Sequence, residues 1–322
     1  MTVTRGRGRA AGTVSVIKTM VEIAAAIKPC SVRALAYQLF NRKLIASMGK
    51  LDTQKVSRWA TIAREEGAMP WEWVVDPTRQ EQAVLTWDDP AAYGRAVQRS
   101  YRRNKWEAQS THVSVWSEKG TVEGTLKPVL DKLEVPFQVL HGWSGATPVW
   151  EAARANLGRH QDTLILYVGD YDPSGMGMSE ADLPQRLARY STKTPGEKAL
   201  DRETVDGILS DGRLTIRRIA LTAEDTRALG PATRFPASDK RKDSRYGWFA
   251  RTYGDGCWEL DALSPNVLRD RVEAAVLGVL DRKVWDRYVH AEKVELEAIA
   301  ATCRSWTSIL RPVPKYPDDG DN

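Results

Sequence analysis

Apolar positions recur at helical spacing through the first part of the chain. The segment VSVIKTMVEIAAAIK at 14–28 has this period, and Pro29 ends it. Ser31 is a suitable N-cap for a second helix, SVRALAYQLFNRKLI, and Asp52 or Thr53 for a third, TQKVSRWATIAREEG. A strand-like stretch, MPWEWVVDPTR, follows. Three helices and a strand in this order are typical of a winged helix-turn-helix, although any three-helix bundle shares the helical part.

The pattern changes after residues 88–106, which have the pattern of one linking helix. Short apolar strands then alternate with helical segments, and this alternation predicts an α/β fold with a mostly parallel, Rossmann-like sheet covered on both faces. Residues 223–256 are rich in turn formers and charge and predict a loop region. Helices return at 265–281 and 282–303. The strands are predicted at 112–116, 137–142, 163–172 and 214–222.

These patterns divide the chain into five segments. No apolar run approaches the ~18–20 residues that cross a bilayer, so no membrane association is expected. The segments are a basic flexible arm at 1–12, a winged-helix DNA-binding domain at 13–87, a linking helix at 88–110, an α/β domain with C-terminal helices at 111–304 and a disordered tail at 305–322.

Cysteine usage bears on the compartment and on metal chemistry. Cys30, Cys257 and Cys303 lie far apart in the chain and form neither a zinc pattern nor a disulfide framework. A reducing cytoplasm is therefore expected, with nucleoid association if the protein binds DNA. No P-loop is visible, so a built-in ATPase is not expected.

Net charge is modestly positive, with 47 basic against 42 acidic residues. The basic residues are clustered, which favours contacts with the phosphates of double-stranded DNA. A solvated surface is the alternative interpretation of each cluster taken singly. The candidates are Lys55, Arg58 and Arg64 on the third helix, Arg99, Arg102 and Arg103 in the predicted linking helix, and Lys240, Lys242 and Arg245 in the predicted loop region.

Acidic residues follow two of the predicted strands. Glu118 comes after HVSVW, and Asp170 and Asp172 come after LILYVG. In a parallel sheet, ligands bind beyond the carboxyl ends of the strands. Three carboxylates that converge there would repel one another unless a cation lay among them, and oxygen ligands without His or Cys indicate Mg²⁺ or Mn²⁺. The alternative is that one or more of these acids only caps a helix.

Four segments together resemble a known family. VSVWSEKG, with Glu118, and LYVGDYDPSG, with Asp170 and Asp172, resemble the glutamate and DxD motifs of the Toprim domain. SVRALAY resembles the segment that carries the catalytic tyrosine in the winged helix of the topoisomerase VI A subunit and its meiotic double-strand-break relatives, and it places Tyr37 at that tyrosine. Arg33 falls at an arginine that commonly precedes it. CWELDALSP resembles a late segment of the family and adds Glu259 and Asp261 as possible supporting acids.

The resemblance implies a winged-helix domain followed by a Toprim domain at 111–304, and metal-dependent DNA cleavage. Glu118, Asp170 and Asp172 would hold the metal, and Tyr37 would attack the phosphorus to form a phosphotyrosyl link, with Arg33 or the metal favouring its phenolate. In the family the tyrosine of one subunit works with the metal site of another, so a homodimer is implied. A separate ATPase subunit is also implied, because topoisomerase VI depends on one.

Other functions remain open at this stage. Ala36 stands where the family usually has a second tyrosine, which leaves a hydrolytic Toprim nuclease of a phage or plasmid-defence system as an alternative. A second alternative is a non-catalytic DNA-binding subunit with a degenerate metal site. The primase branch of Toprim proteins would require a zinc-binding region, which the scattered cysteines do not supply.

Overall fold

The computed structural model describes residues 11–74, 84–140, 146–191, 202–211 and 213–309. The predicted arm and tail fall largely outside these residues. Contacts between residues divide the chain into two units. The first unit combines residues 1–80 with 110–279, and the second combines 81–109 with 280–322.

Three helices pack at the start of the first unit, as the periodicity predicts. Their shared core contains the buried side chains of Met20, Leu35 and Val56. Ser31 caps the second helix, because its side chain accepts a hydrogen bond from the backbone N–H of Ala34 at 3.0 Å. The helices are α1 (Ala11–Ile27), α2 (Val32–Asn41) and α3 (Lys50–Glu65).

Two local predictions in this part are wrong. The N-cap of α3 is Gly49, and Asp52 lies in the first turn, where its carboxylate accepts hydrogen bonds from Ser47. The stretch predicted as a strand is instead a 3₁₀ turn, Trp71–Trp73, followed by a single parallel bridge between Val74 and Cys30. Residues 75–79 of that stretch lie outside the described residues.

The predicted parallel sheet is confirmed. Four strands lie in the order β2-β1-β3-β4, and every neighbouring pair is parallel. Consecutive residues of β3 point to opposite faces, and six of its seven residues are buried, so both faces are covered. The strands are β1 (Thr111–Ser117), β2 (Phe137–Val139), β3 (Asp162–Val168) and β4 (Leu214–Ala220).

Helices connect the strands as the alternation predicts. One core cluster joins the side chains of Trp116, Ile165 and Tyr167 on the sheet to Val149 and Leu187 on the helices. A helix at 202–211 was not predicted. The helices are α5 (Thr121–Leu133), α6 (Ala146–Gly158), α7 (Pro173–Gly177), α8 (Leu183–Ser191) and α9 (Arg202–Asp211), with a π-helical turn at Met178–Asp182 before α8.

The loop predicted at 223–256 contains regular structure, so that prediction is wrong. A capping box begins its first helix, since Thr222 and Asp225 exchange side-chain and backbone hydrogen bonds. Phe249 is buried against Tyr171. These contacts order a segment whose composition suggests turns. The elements are α10 (Ala223–Leu229), β5 (Phe235–Pro236), α11 (Tyr246–Tyr253) and β6 (Gly256–Cys257), and α12 (Pro265–Leu277) follows.

The second unit is a pair of packed helices. The predicted linking helix spans fewer residues than expected, and its Gly94 packs against Cys303, to which an added Cβ would come within 3.3 Å. The last helix continues into the predicted tail before the described residues end. Among the helices that the structure describes, none is both long and apolar enough to cross a membrane. The pair is α4 (Pro90–Ser100) and α13 (Arg282–Ile309).

Candidate active site

Three sequence-predicted acids meet at the carboxyl edge of the sheet. Glu118 directly follows β1, and Asp170 follows β3, the neighbouring strand. Asp172 is the N-cap of α7, as a cap interpretation predicts, and is 2% exposed. Burial, and then the charges of Asp170 and Asp172, raise the pKa of Glu118 to about 7. The charges of the two aspartates therefore act on the Glu118 carboxylate, and its burial strengthens their effect.

The turn that carries the two aspartates is tightly built; residues 169–175 are called the acidic loop below. The Asp172 carboxylate accepts a hydrogen bond from the backbone N–H of Gly175 at 2.8 Å. A Cβ at Gly175 would lie 2.2 Å from the carbonyl oxygen of Asp170, so only glycine fits. The strand ends before Asp170, which lets both aspartates face the same edge.

A second acidic pair is held against this loop. Tyr171 and Trp258 exchange two backbone hydrogen bonds of 2.9 Å, and the N–H of Leu260 donates to the Asp170 carboxylate at 2.7 Å. These bonds bring Glu259 and Asp261 beside the first three acids. We call the five residues the acidic cluster: Glu118, Asp170, Asp172, Glu259 and Asp261.

Lysines contact several of these carboxylates. The Lys119 ammonium lies 2.8 Å from Asp170 and 3.2 Å from Asp261. Lys240, predicted to contact DNA phosphate, lies 3.1 Å from Asp172. Sequence reasoning missed Lys119, although its position directly after Glu118 was a signal.

Helix α2 supplies the third group of contacts. Ser31 donates a hydrogen bond to Asp261 at 3.0 Å, and Arg33 forms an ion pair with Glu259. The Tyr37 hydroxyl donates to Glu259 at 3.1 Å. The structure thus brings Tyr37 and Arg33 to Glu259 and Asp261 within one chain.

The environment of Tyr37 does not favour its phenolate, contrary to the expectation from Arg33. Tyr37 is only 3% exposed. Burial, and then the negative charge of Glu259, raise its pKa, and these effects outweigh the opposing charge of Arg33. The phenol is held protonated, as a hydrogen-bond donor to a carboxylate.

The charges of the acidic cluster are not balanced by its ion pairs. Within the described part of the chain, the cations that form ion pairs with its five carboxylates are Arg33, Lys119 and Lys240. Glu118 forms no ion pair with these three cations, and its hydrogen bond from Ser174 is a long one of 3.4 Å. Five carboxylates therefore share three ion-paired cations.

The fit of a divalent cation can be judged from the donors present. In the ranges that the structure describes, no group of three or more His, Cys, Asp or Glu side chains is arranged to hold a metal ion. The donor chemistry nevertheless suits Mg²⁺ or Mn²⁺, because the acids of the cluster are hard oxygen ligands. The Tyr167 hydroxyl is buried without a hydrogen-bond partner in the same ranges, and Glu118 contributes to its raised pKa. An unsatisfied polar atom beside Glu118 suits a hydrated ion.

The predicted DNA-binding residues differ in their surroundings. Exposed candidates are Lys55 and Arg58 on α3, Arg99, Arg102 and Lys242, although Lys55 also pairs with Asp52. Arg64 lies over the Trp71 ring at 4.7 Å. Arg103 pairs with Glu295, and Arg245 pairs with Asp243, so these two are already engaged within the protein.

Comparisons with known proteins add nothing to this geometry. No protein-family model matches the chain, and no curated protein or solved structure matches it either.

Proposed function

We propose that this chain is a divalent-metal-dependent enzyme that cleaves DNA strands, with the acidic cluster as its catalytic centre. One observation carries the proposal: five carboxylates share three cations at the carboxyl edge of a parallel sheet, where ligands bind in such folds. The resemblance of the Glu118 and Asp170–Asp172 segments to Toprim motifs supports the same chemistry.

Glu118, Asp170 and Asp172 would hold the Mg²⁺ or Mn²⁺. A bound ion would stabilise charge on the phosphate and increase the acidity of a bound water. Lys119 keeps Asp170 and Asp261 at a fixed separation through its two ion pairs. Gly175 and Leu260 orient the two aspartates through backbone N–H groups.

Hydrolysis is the mechanism that the surroundings of Tyr37 support best. Its hydroxyl is buried, protonated and bonded to Glu259 of the same chain. An attacking tyrosine would first have to leave this contact. A homodimer, in which a second chain supplies the tyrosine, belongs to the covalent alternative, as does a separate ATPase subunit.

The exposed face of α3 would bind duplex DNA. Lys55 and Arg58 lie there, with Arg64 stacked on Trp71 beside them. Binding should weaken with salt, with a slope of about −0.9 for each phosphate neutralised. Arg58→Gln should lower that slope by about one, measured by fluorescence anisotropy of a labelled duplex. An unchanged slope would remove Arg58 from the interface.

Supercoiled plasmid incubated with the protein and Mg²⁺ or Mn²⁺ tests the proposal. We expect nicked or linear product whose mobility does not depend on protease treatment. Asp170→Asn and Asp172→Asn should abolish cleavage, because each removes ligand charge. Asp131→Asn is the matched control, since Asp131 is an exposed acid that pairs with Lys127 and does not belong to the acidic cluster. Full activity in both cluster variants would contradict the proposal.

Tyr37→Phe separates the two mechanisms. Phenylalanine keeps the ring and its packing, so hydrolytic cleavage should continue near the wild-type rate. Loss of cleavage, together with a protease-sensitive DNA adduct in the wild type, would establish the covalent mechanism instead.

A DNA-binding subunit without catalysis is a second candidate. Lys119 and Lys240 already contact three of the five carboxylates, and lysines in such positions can replace a metal ion. Calorimetric titration with Mn²⁺ discriminates the two functions. Absence of binding in the wild type, with duplex binding intact, would favour this candidate.

A further inference from the structure

A buried arginine lies beneath the acidic loop, and sequence reasoning did not identify it. Arg218 is on β4, and its side chain is 8% exposed. One terminal nitrogen donates to the carbonyl oxygens of Gly169 at 3.0 Å and Asp170 at 3.2 Å. The other donates to the carbonyl oxygen of Gly175 at 2.6 Å. The guanidinium therefore joins both ends of the acidic loop.

Further contacts fix the orientation of the guanidinium. Its Nε donates to Ser179 at 2.9 Å, and the first terminal nitrogen also donates to the carbonyl oxygen of Leu221 at 3.0 Å. The guanidinium lies over the Tyr167 ring, 5.1 Å from its centroid. The planar fork of arginine can make these bonds together, whereas a lysine ammonium offers one donor centre.

The burial of this charge needs a reason, because a guanidinium removed from water is costly. Among the described residues, its ion pair is a loose one, 3.9 Å from the half-exposed Glu180. Burial lowers the pKa of Arg218, and the negative charges of Asp170 and Glu118 are among those that oppose this effect. Arg218 thus offsets part of the negative charge of the acidic cluster from the backbone side and leaves the carboxylate oxygens uncovered.

We infer that Arg218 is a positioning residue, which holds the acidic loop in the shape that presents Asp170 and Asp172 to a divalent cation. This inference rests on the proposed function for the cation, but the shape of the loop can be measured without one. Gly175 N–H donates to Asp172 and Leu260 N–H donates to Asp170, so these two amides report whether the carboxylates are in place.

The test compares Arg218→Lys with a matched control, Arg269→Lys. Arg269 also donates to backbone carbonyl oxygens, those of Ile27, Pro29 and Thr125, and none of these acceptors belongs to the acidic loop. Mn²⁺ affinity is measured by calorimetry on the full chain, and amide hydrogen exchange is measured without metal. A role in stability alone would affect both variants alike.

We expect Arg218→Lys to weaken Mn²⁺ binding at least tenfold and to speed exchange of the Gly175 and Leu260 amides at least tenfold. In Arg269→Lys, Mn²⁺ affinity and both amides should match the wild type, even if its melting temperature falls. Wild-type affinity and exchange in Arg218→Lys would overturn the inference, as would equal losses in both variants.

Two further results are informative. If the wild type binds no Mn²⁺, the proposed function fails, and amide exchange alone decides the role of Arg218. If Arg218→Lys does not fold, Ser179→Ala is used instead, because it removes one hydrogen-bond acceptor of the guanidinium. Its Mn²⁺ affinity and amide hydrogen exchange are measured in the same way. About threefold changes in affinity and exchange would support the inference, and no change in either would overturn it.

Discussion

The second unit and the acidic cluster of the first pair their acids with cations in opposite ways. In the second unit, Glu292 on α13 pairs with Lys105 at 2.6 Å, and Glu295 on α13 pairs with Arg103; both cations follow α4 in the chain. Each of these acids has its own cation. In the acidic cluster, five carboxylates share Arg33, Lys119 and Lys240, and Glu118 forms no ion pair with these three cations.

This difference distinguishes charged residues that stabilise the fold from charged residues that are available to bind a cation. Complete pairing lowers the cost of burial and leaves no preference for a further ion. Burial, and then repulsion between incompletely paired carboxylates, raises the pKa values of Glu118 and Asp170. Such a deficit is expected where a cation binds during function.

The largest effect should come from breaking a complete pair. Lys105→Met leaves Glu292 without the ammonium, in a site where the glutamate side chain is 15% exposed. We expect a loss of about 3–5 kcal/mol in the free energy of unfolding, measured with urea. The control is Lys127→Met, which breaks an exposed pair with Asp131 and should cost less than about 1 kcal/mol. Equal losses in the two variants would show that the Lys105–Glu292 pair contributes no more to stability than an exposed ion pair.

An opposite and smaller effect is expected at the unbalanced cluster. Glu118→Gln removes the carboxylate that forms no ion pair with Arg33, Lys119 or Lys240, so the free energy of unfolding of the metal-free protein should rise by roughly 1–2 kcal/mol at pH 8. Its Mn²⁺ affinity should fall at least tenfold, because a ligand charge is lost. Destabilisation in EDTA at pH 8 would contradict the assignment of repulsion to this site.

The sign of the pH dependence follows from the same residue. The pKa of Glu118 is raised from 4.5 to about 7 in the folded protein, so its ionised form opposes folding. This contribution is most favourable below pH 4.5 and is lost as the pH rises through 7. The free energy of unfolding of the wild type and of Glu118→Gln is measured in EDTA at pH 5 and pH 8. Relative to the variant, the wild type should be less stable at pH 8 than at pH 5. A constant difference would show that Glu118 does not titrate there.

The smallest effect should come from Lys240, which is half-exposed and competes with a metal for Asp172. Lys240→Gln should strengthen Mn²⁺ binding about threefold and change stability by less than about 1 kcal/mol. Lys242→Gln is the control, because Lys242 is exposed and, among the described residues, forms no ion pair with the acidic cluster. Weaker Mn²⁺ binding in Lys240→Gln alone would instead mean that Lys240 supports the site.

Regular elements were predictable where local pattern and tertiary packing agree. The four strands and the helices between them, apart from α9, were recognisable because apolar runs and amphipathic segments alternate, and burial on both faces of a sheet requires that pattern. The helices in the segment after β4 were not recognisable from the sequence. Helix α10 depends on the Thr222–Asp225 capping box, and α11 depends on the burial of Phe249. Tertiary contacts override a composition rich in turn formers.

The sequence by itself determined the acids at the strand ends, because parallel strands bring their carboxyl ends to one edge. Only the tertiary structure decided their partners. Lys119 and Lys240 contact the acids, Glu259 receives the Tyr37 hydroxyl, and Arg218 binds the loop from beneath. Spacing along the chain carries local geometry alone, whereas these contacts join residues up to 222 positions apart, which only folding brings together.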